Sequence, residues 1–199
     1  SFFCPLLAFA GILLVMFSRS VQKNQVGYIL LGFAILMTGM EMMSSAVEPL
    51  ADVPEFTSIM TKFSNPILGM LAGTIITAVI QSSSASVGIL QALCATGSVS
   101  FGVAIPIIMG QNIGTCITAI ISSIGANRNA KRAALIHLFF NLIGTTVFVL
   151  VFYSIGLFVK YAFLTEAARP ADIAVIHSGF NIAATIFLLP FNKQLVQLS

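Results

Sequence analysis

The sequence predicts an all-α, polytopic membrane protein, and three features of its composition support this fold class. The 199 residues are 58% hydrophobic and only 8% charged, whereas soluble domains carry about 25% charged residues. The mean hydropathy is +1.03, and the apolar residues form long uninterrupted runs instead of stripes on polar helices. The net charge of +3 is spread over several loops, so nucleic acid is not an expected partner.

Two apolar runs open the chain. Residues 1–25 predict a leading transmembrane helix and a cytoplasmic loop, and Val26–Val47 is long enough to span a bilayer. This second span carries one acid, Glu41, near its outer end, where a functional and a structural role are equally expected. The chain enters apolar sequence at once, without a methionine or a basic leader, so we expect it to be part of a longer polypeptide.

The next segments are too short to span a bilayer individually. Residues 48–66 are polar and predict a short interfacial helix. Apolar residues recur there at helical spacing, namely Phe56, Ile59, Met60 and Phe63. Residues 67–80 and 87–95 are two apolar arms around the sequence Gln-Ser-Ser-Ser-Ala-Ser. Because a spanning helix needs about 20 residues, the arms predict a re-entrant hairpin over residues 67–96 that enters and leaves on one side.

A second polar interruption, Gln-Asn-Ile-Gly-Thr at residues 111–115, divides two further apolar pieces. Together the pieces are long enough to cross, so they predict a broken transmembrane helix over residues 101–126. Irregular backbone at membrane depth is tolerated only where protein or a water-filled cavity covers it. Small residues spaced four apart lead into the first break and out of the second, and they predict that these faces pack on each other or on a missing partner. They are Gly69, Gly73, Thr77 and Gln81, and then Gly114, Thr118 and Ser122.

Two full spans are predicted at residues 133–159 and 173–191, the second of them within a final unit of residues 160–199. If the hairpin returns to its side of entry, six of the nine cations share one side of the membrane. They are Arg19, Lys23, Arg128, Lys131, Arg132 and Lys193. The positive-inside rule then places the basic loop 127–132 in the cytoplasm, which supports the re-entrant interpretation independently of segment length.

Each of these spans carries a polar stripe in which histidine, asparagine and threonine lie four residues apart. The stripes are His137, Asn141 and Thr145, and His177, Asn181 and Thr185. They predict either a proton relay or substrate contact, or hydrogen bonding between helices, which we favour. Three cysteines lie in apolar surroundings without metal-type or disulfide-type spacing, which predicts free buried thiols. They are Cys4, Cys94 and Cys116.

The two polar interruptions predict a site for ions. Hydroxyl, amide and helix N-terminal N–H groups donate to an anion, and carbonyls freed at helix ends coordinate a small cation such as sodium. Broken helices with ligands near the middle of the membrane are typical of secondary transporters. The alternative is that serine and threonine only bond back to carbonyls and bend their helices. A contiguous Gln-Ser-Ser-Ser sequence with a second interruption nearby favours the site.

These motifs resemble the sodium-dependent phosphate cotransporter family, the type II Na/Pi group and its bacterial relatives. The resemblance covers about residues 27–191 and rests on NPILGMLAGTIITAVIQSSS from residue 65, QSSSAS at 81–86, and PIIMGQNIGTCITAIISSIGANRNAKRAALIH at 106–137. It implies two inverted repeats, each with its own QSSS motif, which together form the site. This chain has one such motif and is similar to the second repeat of bacterial members. The first repeat, or a second copy of the chain, is therefore the implied partner.

The resemblance assigns substrate and sodium binding to Gln81, Ser82, Ser83 and Ser84, and an unwound helix segment to Asn112, Gly114 and Thr115. Spacing adds Ser86, Gln111 and Thr118, and the expected sodium ligands are Ser83, Ser84 and Thr115. The implied function is sodium-coupled import of inorganic phosphate across the cell membrane, without enzyme activity and without a cofactor beyond the coupling ion.

Two alternatives remain. One is a structural or phosphate-sensing membrane module that does not transport. The other is an intramembrane hydrolase with Ser83 as its nucleophile and His137 or His177 as its base, for which no serine–histidine spacing gives support.

Overall fold

The structure is a computed structural model that describes residues 3–199, apart from the side chains of residues 50, 51, 56 and 57. The described residues form α-helices joined by short loops and 3₁₀ turns, without a strand. The helices are α1 (Phe3–Phe17), α2 (Val21–Val47), α3 (Pro54–Lys62), α4 (Pro66–Ile80), α5 (Ser83–Ala95), α6 (Phe101–Gly114), α7 (Cys116–Ser122), α8 (Arg128–Phe158), α9 (Pro170–Leu188) and α10 (Asn192–Leu198).

Four helical stretches among the described residues are long and apolar enough to cross a membrane. They are Val21–Val47, Phe101–Ser122, Arg128–Phe158 and Pro170–Leu198. Helices α1, α4 and α5 are apolar but have only 15, 15 and 13 residues, which is shorter than the roughly 20 residues that a straight crossing needs. The predicted fold class, an all-α polytopic membrane protein, is therefore confirmed.

Helix α6 lies at the centre of the bundle. Of its spanning stretch with α7, 61% is buried inside the protein, whereas the other three spans are 11–22% buried. Its apolar side chains, such as Ile108 and Met109, are fully buried and pack against α5, α8 and α9. The outer helices instead expose large apolar side chains, among them Ile29, Leu150 and Ile182. Such surfaces suit lipid, whose hydrocarbon covers apolar side chains without penalty.

Helix α4 runs parallel to α6 in close contact. The contacts advance in step along both helices, from Gly69 beside Pro106 to Thr77 beside Gly114. A Cβ added at Gly69 would lie 2.6 Å from the Pro106 side chain, and one at Gly114 would lie 2.6 Å from the Thr74 carbonyl oxygen. Glycine is therefore required on both helices. The two predicted small-residue faces meet at Gly114 and Thr77, while Gly69 and Gly73 pack on Pro106 and Ile107 of α6.

Helix α5 runs back along α6 in the opposite direction. Its first turn contacts the far end of α6 through Ser86 and Gln111, and its last turn precedes α6 by only the short segment 96–100. Helices α4 and α5 therefore form a helical hairpin. Its tip lies level with Gly114, the last residue of α6, so α7 extends beyond the tip. That the hairpin enters and leaves on one side of a membrane stays a prediction.

Several helices begin earlier than predicted. Helix α2 starts at Val21 instead of Val26, so the loop predicted up to residue 25 shrinks to residues 18–20. Helix α8 starts at Arg128, because the Asn127 side chain accepts a hydrogen bond from the Ala130 amide at 2.9 Å and caps the helix. Most of the predicted basic loop 127–132 is therefore helical. The prediction places these charged segments in loops between spans. Lysine and arginine are good helix formers, so the helices include them.

The remaining boundaries differ less. Helix α9 begins at Pro170 and ends at Leu188, and a 3₁₀ turn then leads into α10. Helix α3 occupies the polar stretch where a short helix is predicted, although its position at a membrane surface stays a prediction. Within α3, Met60 is buried, and the side chain of Phe56 lies outside the described residues.

Candidate functional site

The hairpin tip reverses the chain in two residues. Helix α4 ends at Ile80, and Gln81 then adopts the left-handed conformation, with φ 57° and ψ 23°. Ser82 is extended and caps α5, since its Oγ accepts a hydrogen bond from the Ala85 amide at 3.3 Å. The polar break predicted over residues 81–86 is thus too long, because serine is a favoured cap and starts the next helix at Ser83.

The left-handed Gln81 is a strained position. An L-residue other than glycine loses roughly 1–2 kcal/mol in this conformation. Among the described residues, Gln81 is the only non-glycine with a positive φ. Its amide donates to the Thr77 carbonyl at 2.8 Å, which fixes the end of α4. Backbone strain of this kind is concentrated at ligand-binding and catalytic sites.

The N-terminus of α5 presents free donors at the tip. The first amides of a helix have no carbonyl partner within it, and here the Ser82 side chain satisfies only that of Ala85. The amides of Ser83 and Ser84 therefore remain available, together with the serine hydroxyls, of which Ser82 Oγ and Ser84 Oγ lie 3.3 Å apart. The positive end of the helix dipole adds to this attraction for anions.

The second interruption differs from its prediction. Only Thr115 separates α6 from α7, and its φ of −57° and ψ of −29° are those of a right-handed helix. Its amide and its Oγ1 both donate to the Gln111 carbonyl, at 3.0 and 2.8 Å. The predicted unwinding of residues 111–115, with freed carbonyls, is therefore wrong. Asn112 likewise donates back to the Ile108 carbonyl at 2.9 Å, so its polar side chain is satisfied without breaking the helix.

A pocket of about 430 Å³ lies between the hairpin tip, α7 and α8. Six of the ten predicted site residues line it, namely Gln81, Ser82, Ser83, Ser84, Thr115 and Thr118. The other lining residues are Ala119, Ser122 and His137. None of these side chains carries a permanent charge, so the pocket offers hydroxyl, amide and imidazole groups without a carboxylate that would repel an anion.

The other four predicted residues are buried beside the pocket, on the hairpin and on α6. Ser86 and Gln111 are 1% and 2% exposed. Ser86 Oγ lies 2.7 Å from Thr77 Oγ1, and Gln111 Nε2 donates to both the Ser86 carbonyl and its Oγ at 3.0 Å. This network joins both arms of the hairpin to α6. Gly114 packs on α4, and Asn112 is 4% exposed, so none of the four lines the pocket in this structure.

Ser122 and His137 line the pocket but are absent from the predicted site. Spacing gave a signal for both, since Ser122 belongs to the small-residue face and His137 to a polar stripe. The other histidine, His177, lines a separate cavity of about 720 Å³ on the other side of the tip, which Ser83 and Ser84 also reach.

One of the two polar stripes forms the predicted hydrogen bond between helices. Asn181 on α9 donates to Asn112 Oδ1 on α6 at 3.3 Å, which is a hydrogen bond between helices. Asn141 donates instead within α8, to the His137 carbonyl at 3.0 Å. The three cysteines are free and buried, as predicted.

Glu41 lies away from the tip. It lines a cavity of about 480 Å³ with Glu48 and Asp52. This acidic cavity shares no lining residue with the pocket at the tip.

The helices define a polytopic membrane protein, and the pocket at its hairpin tip is polar and uncharged. The chain belongs to the Na+/Pi-cotransporter family, which matches residues 35–188. The resemblance noted in the sequence is thereby confirmed, and the family is one of transporters, not of enzymes.

Individual relatives cover the chain to different extents. YjbB of Salmonella typhimurium, whose name gives it a provisional role in inorganic phosphate export, is 27% identical over 194 residues, which are 96% of this chain and 35% of that protein. Uncharacterized protein YqeW of Bacillus subtilis is 27% identical over 188 residues, 94% of this chain and 60% of that protein. Sodium-dependent phosphate transport protein 2B of Homo sapiens is 35% identical over 128 residues, 60% of this chain and 19% of that protein.

The chain therefore spans about a third of the length of the YjbB proteins that it matches. No solved structure matches the chain significantly.

Proposed function

We propose that this chain is one repeat of a sodium-coupled transporter of inorganic phosphate, and that phosphate binds at the hairpin tip. The pocket itself carries the proposal, because it gathers six of the residues predicted for ion binding around a helix N-terminus with free amides. The family supports it, as does the human relative named for sodium-dependent phosphate transport.

The chemistry of the pocket suits a tetrahedral anion. Phosphate oxygens accept hydrogen bonds from the hydroxyls and amides of Ser83 and Ser84, and charge-assisted bonds of this kind are stronger than neutral ones. Sodium binds beside the anion to hydroxyl oxygens of Ser83, Ser84 and Thr115. Since the Gln111 carbonyl is already used twice within the helix, the α6–α7 side contributes side-chain oxygens in place of the freed carbonyls that the sequence suggested.

Pairing the two ions lowers the cost of moving phosphate through a low-dielectric bundle, because a lone buried charge is expensive. Each sodium ion that enters along a membrane potential contributes about 2.3 kcal/mol per 100 mV. We infer that the remainder of the transporter, the first inverted repeat or a second copy, completes the site opposite the tip. The basic end of α8, with Arg128, Lys131 and Arg132, faces the cytoplasm of a cell membrane in this proposal.

The test is transport by the full-length protein that contains this chain, reconstituted in liposomes. We expect uptake of radiolabelled phosphate under an inward sodium gradient, and a loss of that uptake when potassium or choline replaces sodium. Equal uptake in sodium-free buffer would refute the coupling. Phosphate binding without any flux would favour the phosphate-sensing module instead.

The direction of transport has a second candidate, export, because YjbB matches nearly the whole chain and is named for phosphate export. The same liposomes distinguish the two directions. An inward sodium gradient speeds uptake of phosphate if the two ions move together. If sodium is exchanged for phosphate, as export needs, the same inward gradient speeds the release of labelled phosphate from loaded vesicles. Release that no sodium gradient changes would exclude sodium-coupled export.

A further inference from the structure

His137 is the residue of the pocket to which the proposed function gives no role. It projects from α8 into the same 430 Å³ space that Ser82 borders from the hairpin tip and Ser83 and Ser84 from the first turn of α5. It is the one lining residue of this pocket with a titratable side chain, and it is half-buried. An imidazole always retains at least one N–H donor, whichever tautomer is present.

The backbone of His137 is fixed while its ring is left unused. Its carbonyl accepts hydrogen bonds from Cys116 Sγ on α7, at 3.5 Å, and from Asn141 Nδ2, at 3.0 Å. Within the described part of the chain, the ring itself forms neither a hydrogen bond nor an ion pair. A positioned ring without a protein partner, at the wall of a polar pocket, is available to a ligand in that pocket.

His177 provides an internal comparison. It occupies the same place in the second His-x3-Asn-x3-Thr stripe, but it lines the larger cavity on the other side of the tip. Ser83 and Ser84 border that cavity too, but there they lie opposite mostly apolar side chains such as Leu36 and Met40. An anion needs donors from several directions, since it loses its hydration shell on binding. The pocket of His137 adds threonine and serine hydroxyls from α7, so it suits an anion better than the cavity of His177 does.

We propose that His137 is a binding residue for the transported oxyanion. It donates an imidazole N–H to a phosphate oxygen from α8 while the serines donate from α5, so the anion bridges the hairpin and the long helix. This assignment rests on the proposed function and adds one residue to it, and it separates the two histidines, with His177 outside the site.

The test compares His137→Ala, His137→Gln and His177→Ala in the full-length protein reconstituted in liposomes. Loss of a hydrogen bond to a charged ligand predicts that His137→Ala raises the KM for inorganic phosphate by roughly tenfold to a hundredfold. His137→Gln keeps an N–H donor and should return to within about threefold of the wild type. His177→Ala is the matched control, and its phosphate KM, like the sodium KM of all three variants, should stay within about twofold.

A wild-type phosphate KM in His137→Ala would overturn the inference while leaving the proposed function intact. The same holds if His137→Ala and His177→Ala raise the KM equally. If the wild type neither transports nor binds inorganic phosphate, the proposed function fails, and the inference fails with it. If it binds without transport, equilibrium binding replaces KM as the readout, with the same expected ratios.

A second measurement covers the case in which His137→Ala does not fold. His137→Cys and His177→Cys are modified with a methanethiosulfonate reagent, and the wild type gives the background of its three buried cysteines. Inorganic phosphate should slow modification of His137→Cys and leave that of His177→Cys unchanged. Equal rates with and without phosphate at position 137 would overturn the inference.

Discussion

The hairpin tip and the Gln111–Thr115 segment are both polar sequences between apolar helices, but they differ in backbone. At the tip, the chain leaves the helix at Gln81 and starts another at Ser83. In the second segment, the amide of Thr115 still donates to the Gln111 carbonyl, and α6 passes into α7 without unwinding.

The difference lies in where the polar side chains find partners. Ser82 bonds to an amide ahead of it in the chain, which caps a new helix and ends the old one. Asn112 and Thr115 bond to carbonyls four residues behind them, which a continuous helix permits. Gln111 bonds sideways to α5. In this protein the apolar helix is broken where Ser82 caps the next helix, whereas in the second segment the polar side chains bond within their own helix or to α5.

The largest expected effect comes from breaking the close packing between α4 and α6. In Gly110→Leu, the new side chain would overlap the backbone of Met70 on α4, and backbone cannot move aside as a side chain can. We expect a loss of more than about 3 kcal/mol of stability and little folded protein in size-exclusion chromatography. Gly179→Leu on α9 is the control, because nothing lies within 4 Å of a Cβ added there. Equal yields of the two variants would contradict the close α4–α6 contact.

The next largest effect concerns a residue that lines the pocket without contributing to the stability of the fold. Ser83→Ala removes a hydroxyl that lines the pocket and makes no hydrogen bond of its own in the described structure. We expect phosphate affinity to fall by about tenfold or more, with thermal stability unchanged. Ser58→Ala on α3 is the control, since this exposed serine bonds within its own helix and lines neither cavity at the tip. Wild-type phosphate affinity in Ser83→Ala would remove this serine from the site.

The sequence predicts the two short helical arms, because local chemistry decides them, while the re-entrant course of the hairpin stays a prediction. The arm lengths, the left-handed Gln81 and the serine cap depend on residues 66–95 alone. It predicts the second interruption poorly, because a run of amides and hydroxyls does not show whether its partners lie within the helix or across it. The partner of Gln111 is Ser86, 25 positions earlier, and that contact exists only after the hairpin has folded onto α6.

The residues that line the pocket also differ in how well the sequence predicts them. Gln81 to Ser84 are adjacent in sequence, so one motif identifies them, and the family resemblance adds Thr115. His137 reaches the pocket only because α8 packs on α7. Its spacing in a polar stripe was a signal, but the same signal marks His177, which lines a different cavity. Spacing identifies a polar face, and tertiary packing decides which face lines the pocket.

A smaller effect tests the hydrogen bonds from Gln111 on α6 to Ser86 on α5. Gln111→Leu removes both hydrogen bonds to Ser86 and keeps most of the volume, while it also removes Gln111 Oε1, a buried acceptor without a partner. The two changes oppose each other, so we expect a net loss of about 1–2 kcal/mol, measured as the free energy of unfolding in an SDS titration. Gln194→Leu, on the exposed side of α10, should change it by less than about 0.5 kcal/mol. An undiminished stability in Gln111→Leu would show that α5 is held to α6 by apolar contacts alone.

The smallest effect has opposite signs in the two kinds of backbone. Gln81→Gly relieves the left-handed strain at the tip and should stabilise the fold by up to about 1 kcal/mol, less the added freedom of the unfolded chain. Gln25→Gly, inside the exposed face of α2, should destabilise it by about 1 kcal/mol, because glycine is a poor helix former. Glycine adds conformational freedom to the unfolded chain in both variants, so this contribution cancels when their stabilities are compared. The expected difference is about 2 kcal/mol at most. If both variants lost stability equally, Gln81 would lie in ordinary helix, and the tip would be as continuous as the segment at Thr115.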